Sequence, residues 1–231
     1  MLSLVGVLLV ASAHGNINIC CVVRTFVGHK DNLLVLLSSL TDASRHARNI
    51  DINFFIVDTD PMRSTGTFFI ERTILHLRQH YGNDIYQHLH FANRTYRPDI
   101  TWGYDATDDA LGYILTGSLP CDYFLFTNGD NYYSHYLFTE LESALAKAFD
   151  LVAFNYIHRY EPIFVKLQHS SIDLGAAFVS ERAVRRSNAR FLPQNLSTPD
   201  IIARDWYFFE HVLSQRGATS TIVRKTLFIH I

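Results

Sequence analysis

Carboxylates and one histidine standing just past apolar runs are the residues of this chain best suited to chemistry. Tyr123-Phe124-Leu125-Phe126 runs straight into Thr127-Asn128-Gly129-Asp130-Asn131, Ile52 to Val57 closes on Asp58-Thr59-Asp60-Pro61, and a polar cluster from Arg24 to Lys30 follows the run Ile17 to Val23. A hard divalent cation wants one or two carboxylates plus phosphate oxygens rather than a full protein cage, and Asp130, surrounded by amides, suits such a site. Asn-Gly-Asp-Asn is equally turn chemistry. Asp58 and Asp60 carry the same two readings, because Asp-x-Asp-Pro also caps and turns. His230, at the end of an apolar run, has the chemistry of a metal ligand or of a structural histidine. Asp205 is an acid for catalysis or a first-turn residue stabilising a helix N-terminus. Asp173, just before Leu174-Gly175-Ala176, is a second base candidate or the end of a strand.

Motifs that would assign other chemistry are missing. No Gly-rich stretch ends in Lys-Ser/Thr and no G-x-G-x-x-G follows a strand, so neither a P-loop nor a dinucleotide fingerprint is present. H-E-x-x-H, C-x-x-C and G-x-S-x-G are absent as well, which removes the common zinc-hydrolase and α/β-hydrolase signals. Twenty basic against twenty-two acidic residues leave a net charge of −2, which argues against a nucleic-acid binder held by counterion release. Twelve histidines would carry the net charge positive in mild acid.

The elements that must position these residues follow an alternating pattern. Ile17 to Val23 and Ile52 to Val57 are nearly continuous apolar runs, as expected of strands buried on both faces. Between them Leu33, Leu36, Leu37 and Leu40 mark a helical face, with Asp31 as its expected N-cap. Ile70, Ile74, Leu77 and Tyr81 mark a second helix, and Leu89 to Ala92 a short strand. A third helix carries Ala110, Leu111, Ile114 and Leu115, capped by Thr107 or Asp108. A strand at Tyr123 to Phe126 precedes a helix with Leu137, Leu141, Leu145 and Ala148, capped by Ser134. Strands at Leu151 to Tyr156 and Ile172 to Val179 come next, then a basic helix around Arg182, Arg185 and Arg186. Trp206, Phe209 and Leu213 define a last helix over 204–216, with Gly217 as its C′ residue. Two short strands, Thr221 to Val223 and Thr226 to Ile229, finish the chain. Strands alternating with helices argue an α/β sheet, mostly parallel and flanked by helices, and 231 residues with 48% apolar content suit one domain.

Met1 to Ala13 is an apolar stretch closed by Ala11-Ser12-Ala13, which reads as a signal peptide or as a buried strand. The acceptor sequons Asn93-Arg94-Thr95 and Asn195-Leu196-Ser197 agree with secretion. No segment is long and apolar enough for a transmembrane helix. Of the three cysteines, Cys20 and Cys21 read as buried thiols and Cys121 stands alone.

Taken jointly, the order of these segments resembles the GT-A glycosyltransferases, particularly the family-2-like group. INICCVVRTFVGHKDNLLVLLSSL looks like that family's opening strand and helix, and FFIVDTDPMRST like its second strand with a nucleotide-binding Asp. GYDATDDALGYILTGSLPCDYFLFTNGDNYYSHYLFTELESAL is similar to the stretch bearing the D-x-D metal motif, and ARDWYFFEHVLSQRG to the late segment with the catalytic base. The resemblance spans residues 17–230. It implies a GT-A-like domain over 16–231, with a nucleotide-sugar-binding half to about 131 and an acceptor half from 132. It implies that Arg24, Thr25, Phe26, Asp58, Asp108 and Asn128 bind the nucleotide-sugar donor, that Asp130 and His230 hold Mn²⁺ or Mg²⁺, that Asp205 is the general base and that Trp206 is an acceptor platform. The acceptor would be a glycan, protein or lipid, and the compartment the secretory pathway.

One departure stands out: the first acid of D-x-D is Asn128, leaving N-G-D. The competing class is therefore an inactive GT-A-like module that binds a nucleotide-sugar or glycan. A nucleotidyltransferase would want a phosphate loop richer in glycine than Arg24 to Lys30. A hydrolase would need Asp130 and Asp205 about 5–10 Å apart.

Overall fold

A computed structural model describes residues 16–59, 63–82, 89–92, 103–169, 171–192 and 204–230. The expected signal peptide, Asp60 and both sequons lie outside the described residues. The first strand, β1 (Ile17–Thr25), is an apolar run with Ile19 to Val23 fully buried. Such a strand needs partners on both edges, and it has them. β2 (Ile50–Asp58) and β4 (Tyr123–Asn128) both pair with it in parallel, and β3 (Leu89–Ala92) adds to β2, again in parallel.

Beyond β4 the sheet is mixed. The order is β3-β2-β1-β4-β8-β6-β9-β5, where β5 is Tyr132–Tyr133, β6 Leu151–His158, β8 Ala177–Ser180 and β9 Ser220–His230. β4/β8, β8/β6 and β9/β5 are antiparallel, while the long β6/β9 ladder is parallel. The longest ladders are thus parallel, as the buried runs predict. A short β7 (Glu161–Ile163) pairs with β6 through a turn in which Arg159 and Tyr160 both have positive φ, 47° and 72°.

Helices cover the sheet with the faces that their periodicity marks. α1 (Leu33–His46) buries Leu33, Leu36, Leu37 and Leu40, α2 (Arg63–Tyr81) buries Ile70, Ile74 and Leu77, and α3 (Tyr104–Thr116) buries Ala110, Leu111 and Ile114. α4 (Leu137–Ala146), α5 (Glu181–Ser187) and α6 (Arg204–Leu213) complete the set. No helix among the described residues is long and apolar enough to cross a membrane.

Several expected boundaries move, most by local turn bonding and one, at Asp108, because a distant segment takes the residue. α1 starts after Asn32, not Asp31, with no side-chain cap bond. α3 starts after Gly103 (φ 81°), a turn ahead of the expected caps. Thr107 bonds back to the Gly103 carbonyl at 2.9 Å, and Asp108 is drawn to another segment. Ser134 accepts from the Tyr136 amide, in the turn before α4. The strand expected over Ile172 to Val179 is confined to Ala177–Ser180, because Asp173 caps a 3-10 turn over Leu174–Ala176. The two C-terminal strands are one, β9, and α6 ends at Leu213, so Gly217 (φ 75°) serves the following turn rather than a helix C-cap. Cys20 is not a free thiol: it forms a disulfide with Cys121, while Cys21 stays free and buried.

Candidate active site

In open α/β sheets, ligands bind beyond the strands' carboxyl ends where neighbouring strands continue to opposite sides. Here that point lies between β1, which leads on to β2, and β4, its other neighbour. Arg24 and Asn128 face each other across it in register. A cavity of about 440 Å³ opens there, lined by Arg24, Phe26, His29, Thr59, Tyr104, Asn128, Asp130, Asp173, Asp205 and His230. The sheet edge, the 3-10 turn after β8's leading loop, the start of α6 and the end of β9 all deliver residues to this one space.

Asp205 reaches the cavity because α6 is anchored behind it. Phe208 stacks on Phe191 with ring centroids 4.2 Å apart, and Phe126 of β4 meets both rings edge-on. The Tyr104 hydroxyl donates to Asp205 Oδ1 at 2.6 Å, and the Arg24 guanidinium lies 4.5 Å over the Tyr104 ring. Burial pushes the Asp205 carboxyl up to about 6, with Asp173 adding to the rise, while Arg24, the Tyr104 hydroxyl and the Leu174 amide oppose it. A carboxylate poised there is suited to accept a proton near neutral pH.

Asp173 has both oxygens engaged. Oδ1 accepts from the Gly175 amide at 2.9 Å, and Oδ2 is 2.8 Å from His230 Nδ1. That bond lifts the His230 imidazole above its usual range, against the effect of burial. It also fixes the ring, leaving Nε2 as the nitrogen for a ligand. Asp173 is thereby better placed to hold His230 than to act as the base.

At the other wall, Asn128 Oδ1 accepts from Arg24 Nε at 3.0 Å. His29, in a 3-10 turn over Val27–His29, puts Nε2 at 3.4 Å from Asp130 Oδ2. Burial lowers the His29 imidazole below its usual range, Asp130 opposing and Arg24 adding to the fall. Asp130 Oδ1, His29 Nδ1 and Thr25 Oγ1 are buried with no hydrogen-bond partner. Gly129 makes their approach possible: a Cβ there would stand 2.7 Å from Thr25 Oγ1 and 3.1 Å from His29 Nδ1. Among the described residues no three His, Cys, Asp or Glu side chains converge as a ready metal cluster. The unsatisfied Asp130 oxygen nevertheless fits a divalent cation that takes its other ligands from phosphate.

The structure thus brings together Arg24, Phe26, Asn128, Asp130, Asp205 and His230. Thr25 is fully buried beneath them, and its carbonyl accepts from the Thr59 amide at 2.7 Å and from the Thr59 hydroxyl. Asp58 pairs in register with Thr25 at the rim, where its neighbour Thr59 is the residue that lines the space. Two expected contacts are corrected. Asp108 is not a lining residue; its carboxylate accepts from the Phe191 and Leu192 amides at 2.9 and 2.8 Å, which holds the segment before α6. Trp206 is packed in the core at 9% exposure, so it offers no open face to an acceptor. His29, Thr59 and Tyr104 went unmarked in the sequence, although His29 stands in a polar cluster after a buried strand.

No family model matches the chain, and no curated protein matches it. Solved structures do. TarS 1–349 of S. aureus has a TM-score of 0.63 at 12% identity, over 92% of this chain and 60% of that one. Its complex with UDP-GlcNAc gives 0.62 at 12%, over 93% and 58%. The mannosyltransferase PcManGT of Pyrobaculum calidifontis, in complex with GDP-Man and Mn²⁺, gives 0.57 at 13%, over 92% and 56%. The chain spans about three fifths of the length of these solved chains, and 36% of a longer TarS structure. Likenesses at such identity speak for the fold, and the fold they identify is that of the GT-A-type nucleotide-diphospho-sugar transferases.

Proposed function

We propose that the protein is a glycosyltransferase that moves a sugar from a nucleotide-sugar to a glycan, protein or lipid acceptor by a single inverting displacement. The observation that carries this reading is Asp205: a half-buried carboxylate that accepts from the Tyr104 hydroxyl and is raised above the usual carboxylate range, in the same cavity as Asp130 and His230. The acceptor hydroxyl oxygen attacks the anomeric carbon, the bond from that carbon to the diphosphate oxygen breaks, and the acceptor proton passes to Asp205. Arg24, Phe26 and Asn128 line the donor side, with Thr25 and Asp58 at its base and rim. Asp130 and His230 would hold Mn²⁺ or Mg²⁺, whose chemistry is to neutralise the departing diphosphate.

TarS has been solved with UDP and UDP-GlcNAc, and PcManGT with GDP-Man, which makes UDP- and GDP-sugars the first donors to test. A Cys20–Cys121 disulfide supports an oxidising compartment, in keeping with the secretory pathway. The replacement at Asn128, tied to Arg24, supports one second reading, a module that binds the donor without turnover.

A panel of nucleotide-sugars with and without Mn²⁺, read as nucleoside diphosphate released, tests the assignment. Release that needs Mn²⁺ and disappears in Asp130→Ala is expected. Donor binding with no release on any acceptor pool supports the binding module. Neither binding nor release, in folded protein, overturns both.

A further inference from the structure

Against the D-x-D pattern that the chain resembles, N-G-D brings one acid fewer to the cation site, and the Asn128 oxygen already accepts from Arg24. His29 stands where a replacement is needed. Its Nε2 is 3.4 Å from Asp130 Oδ2, while two atoms bound side by side to one cation at about 2.1 Å lie about 3 Å apart. The pair therefore needs to close by only a few tenths of an ångström to share an ion.

The unsatisfied atoms point the same way. Asp130 Oδ1, His29 Nδ1 and the fully buried Thr25 Oγ1 all lack partners. A ligating imidazole donates its second ring N–H to an oxygen, which orients the ring. Thr25 Oγ1 and His29 Nδ1 converge on the space that Gly129 leaves open. Nε2 is the ring nitrogen that faces Asp130, and Nδ1 lies on the Gly129 side with no bond formed to the Thr25 hydroxyl. Gly129 in N-G-D is the residue that admits the histidine.

We propose that His29 supplies the ligand that the missing acid would have given, so that His29 and Asp130 are adjacent protein ligands of a divalent cation completed by His230 and by diphosphate oxygens. This rests on the nucleotide-sugar reading above and deepens it by naming the ligands. Imidazole nitrogen suits first-row transition ions better than Mg²⁺. The site accordingly selects Mn²⁺ over Mg²⁺.

The test titrates Mn²⁺ into the full chain with saturating UDP, and separately GDP, following the free-ion electron paramagnetic resonance signal and the ¹⁴N spin-echo modulation of bound Mn²⁺. His29→Ala is expected to lose an imidazole nitrogen coupling and to weaken Mn²⁺ uptake about tenfold or more. His29→Asp should keep uptake and raise the affinity for Mg²⁺ relative to Mn²⁺. Melting temperatures confirm folding, and His29→Gln replaces the alanine variant if that one melts early. Unchanged uptake and unchanged ¹⁴N modulation without His29, where Asp130→Ala abolishes uptake, overturn the proposal and leave the donor-site reading standing. Uptake insensitive to Asp130→Ala, or no uptake with either nucleotide, overturns the donor-site reading together with it.

Discussion

The desolvation on which the proposed base role of Asp205 draws also works against the fold. Its carboxyl is held at about 6, above the usual unfolded value of about 3.9, so ionising it costs stability as pH rises from about 4, with the full cost present above about 6. Asp205→Asn is expected to lose 10²- to about 10⁴-fold in kcat, yet to melt no lower than the parent at pH 7. Its advantage should fade toward pH 4, where the parent carboxyl is protonated. Turnover of the parent should rise with pH through about 6 as Asp205 ionises. A variant that melts lower at pH 7, or a rate flat from pH 5 to 8, would remove Asp205 from this role. Gly129→Ala offers a second check, because its Cβ would press on Thr25 and His29. Weaker Mn²⁺ uptake with the sheet intact is the expected outcome. At this scale the sequence was legible where a carboxylate closes an apolar run, as at Asp130. Tyr104 was not, because its role depends on Asp205, 101 residues away in sequence. Asp108 misled for the same reason: its partners, the Phe191 and Leu192 amides, are equally remote.

Elements were legible where burial is continuous or periodic. β1, β2 and the apolar faces of α1 and α3 follow directly from runs and spacings, since each must hide a fixed set of side chains. Caps and strand ends were less so, because short polar side chains there choose among local turn bonds and, as at Asp108, partners elsewhere in the fold. Asp150, just before β6, shows how such a partner set works. Its buried carboxylate accepts from Arg182 and Arg186 of α5, each at 3.0 Å, and from the Thr219 amide before β9 at 2.9 Å. Burial alone would raise this carboxyl, but the Thr219 amide and the two guanidinium groups hold it down at about 2. Its contribution is therefore complete above about pH 4 and is lost as pH falls toward about 2. Asp150→Ala should lower unfolding free energy by about 2 kcal/mol at pH 7, read by urea denaturation, because the Thr219 amide loses its acceptor and two partly exposed guanidinium groups lose their shared anion. An unchanged midpoint would show that α5, β6 and β9 are held by packing alone.

For the whole molecule, the mixed half of the sheet was the least legible part. Its order, β4-β8-β6-β9-β5, interleaves strands from distant stretches of chain, and no local pattern encodes that. The disulfide was hidden likewise, its cysteines 101 residues apart. Unreduced, denatured protein should titrate one thiol per chain, from Cys21, and reduced protein three; three in both would rule out the bridge. The pairing of β1 with β4 also sets an order of events in folding. β1 is complete in the first 25 residues, but its second edge waits for residues 123–128, so the central strand stays half-paired while the intervening chain is made. Contacts of such long range close slowly, and an apolar edge left open meanwhile is a surface on which chains associate. Once β4 arrives, the floor of the cavity at Arg24 and Asn128 comes into existence, and oxidation of Cys20 and Cys121 then locks that closure.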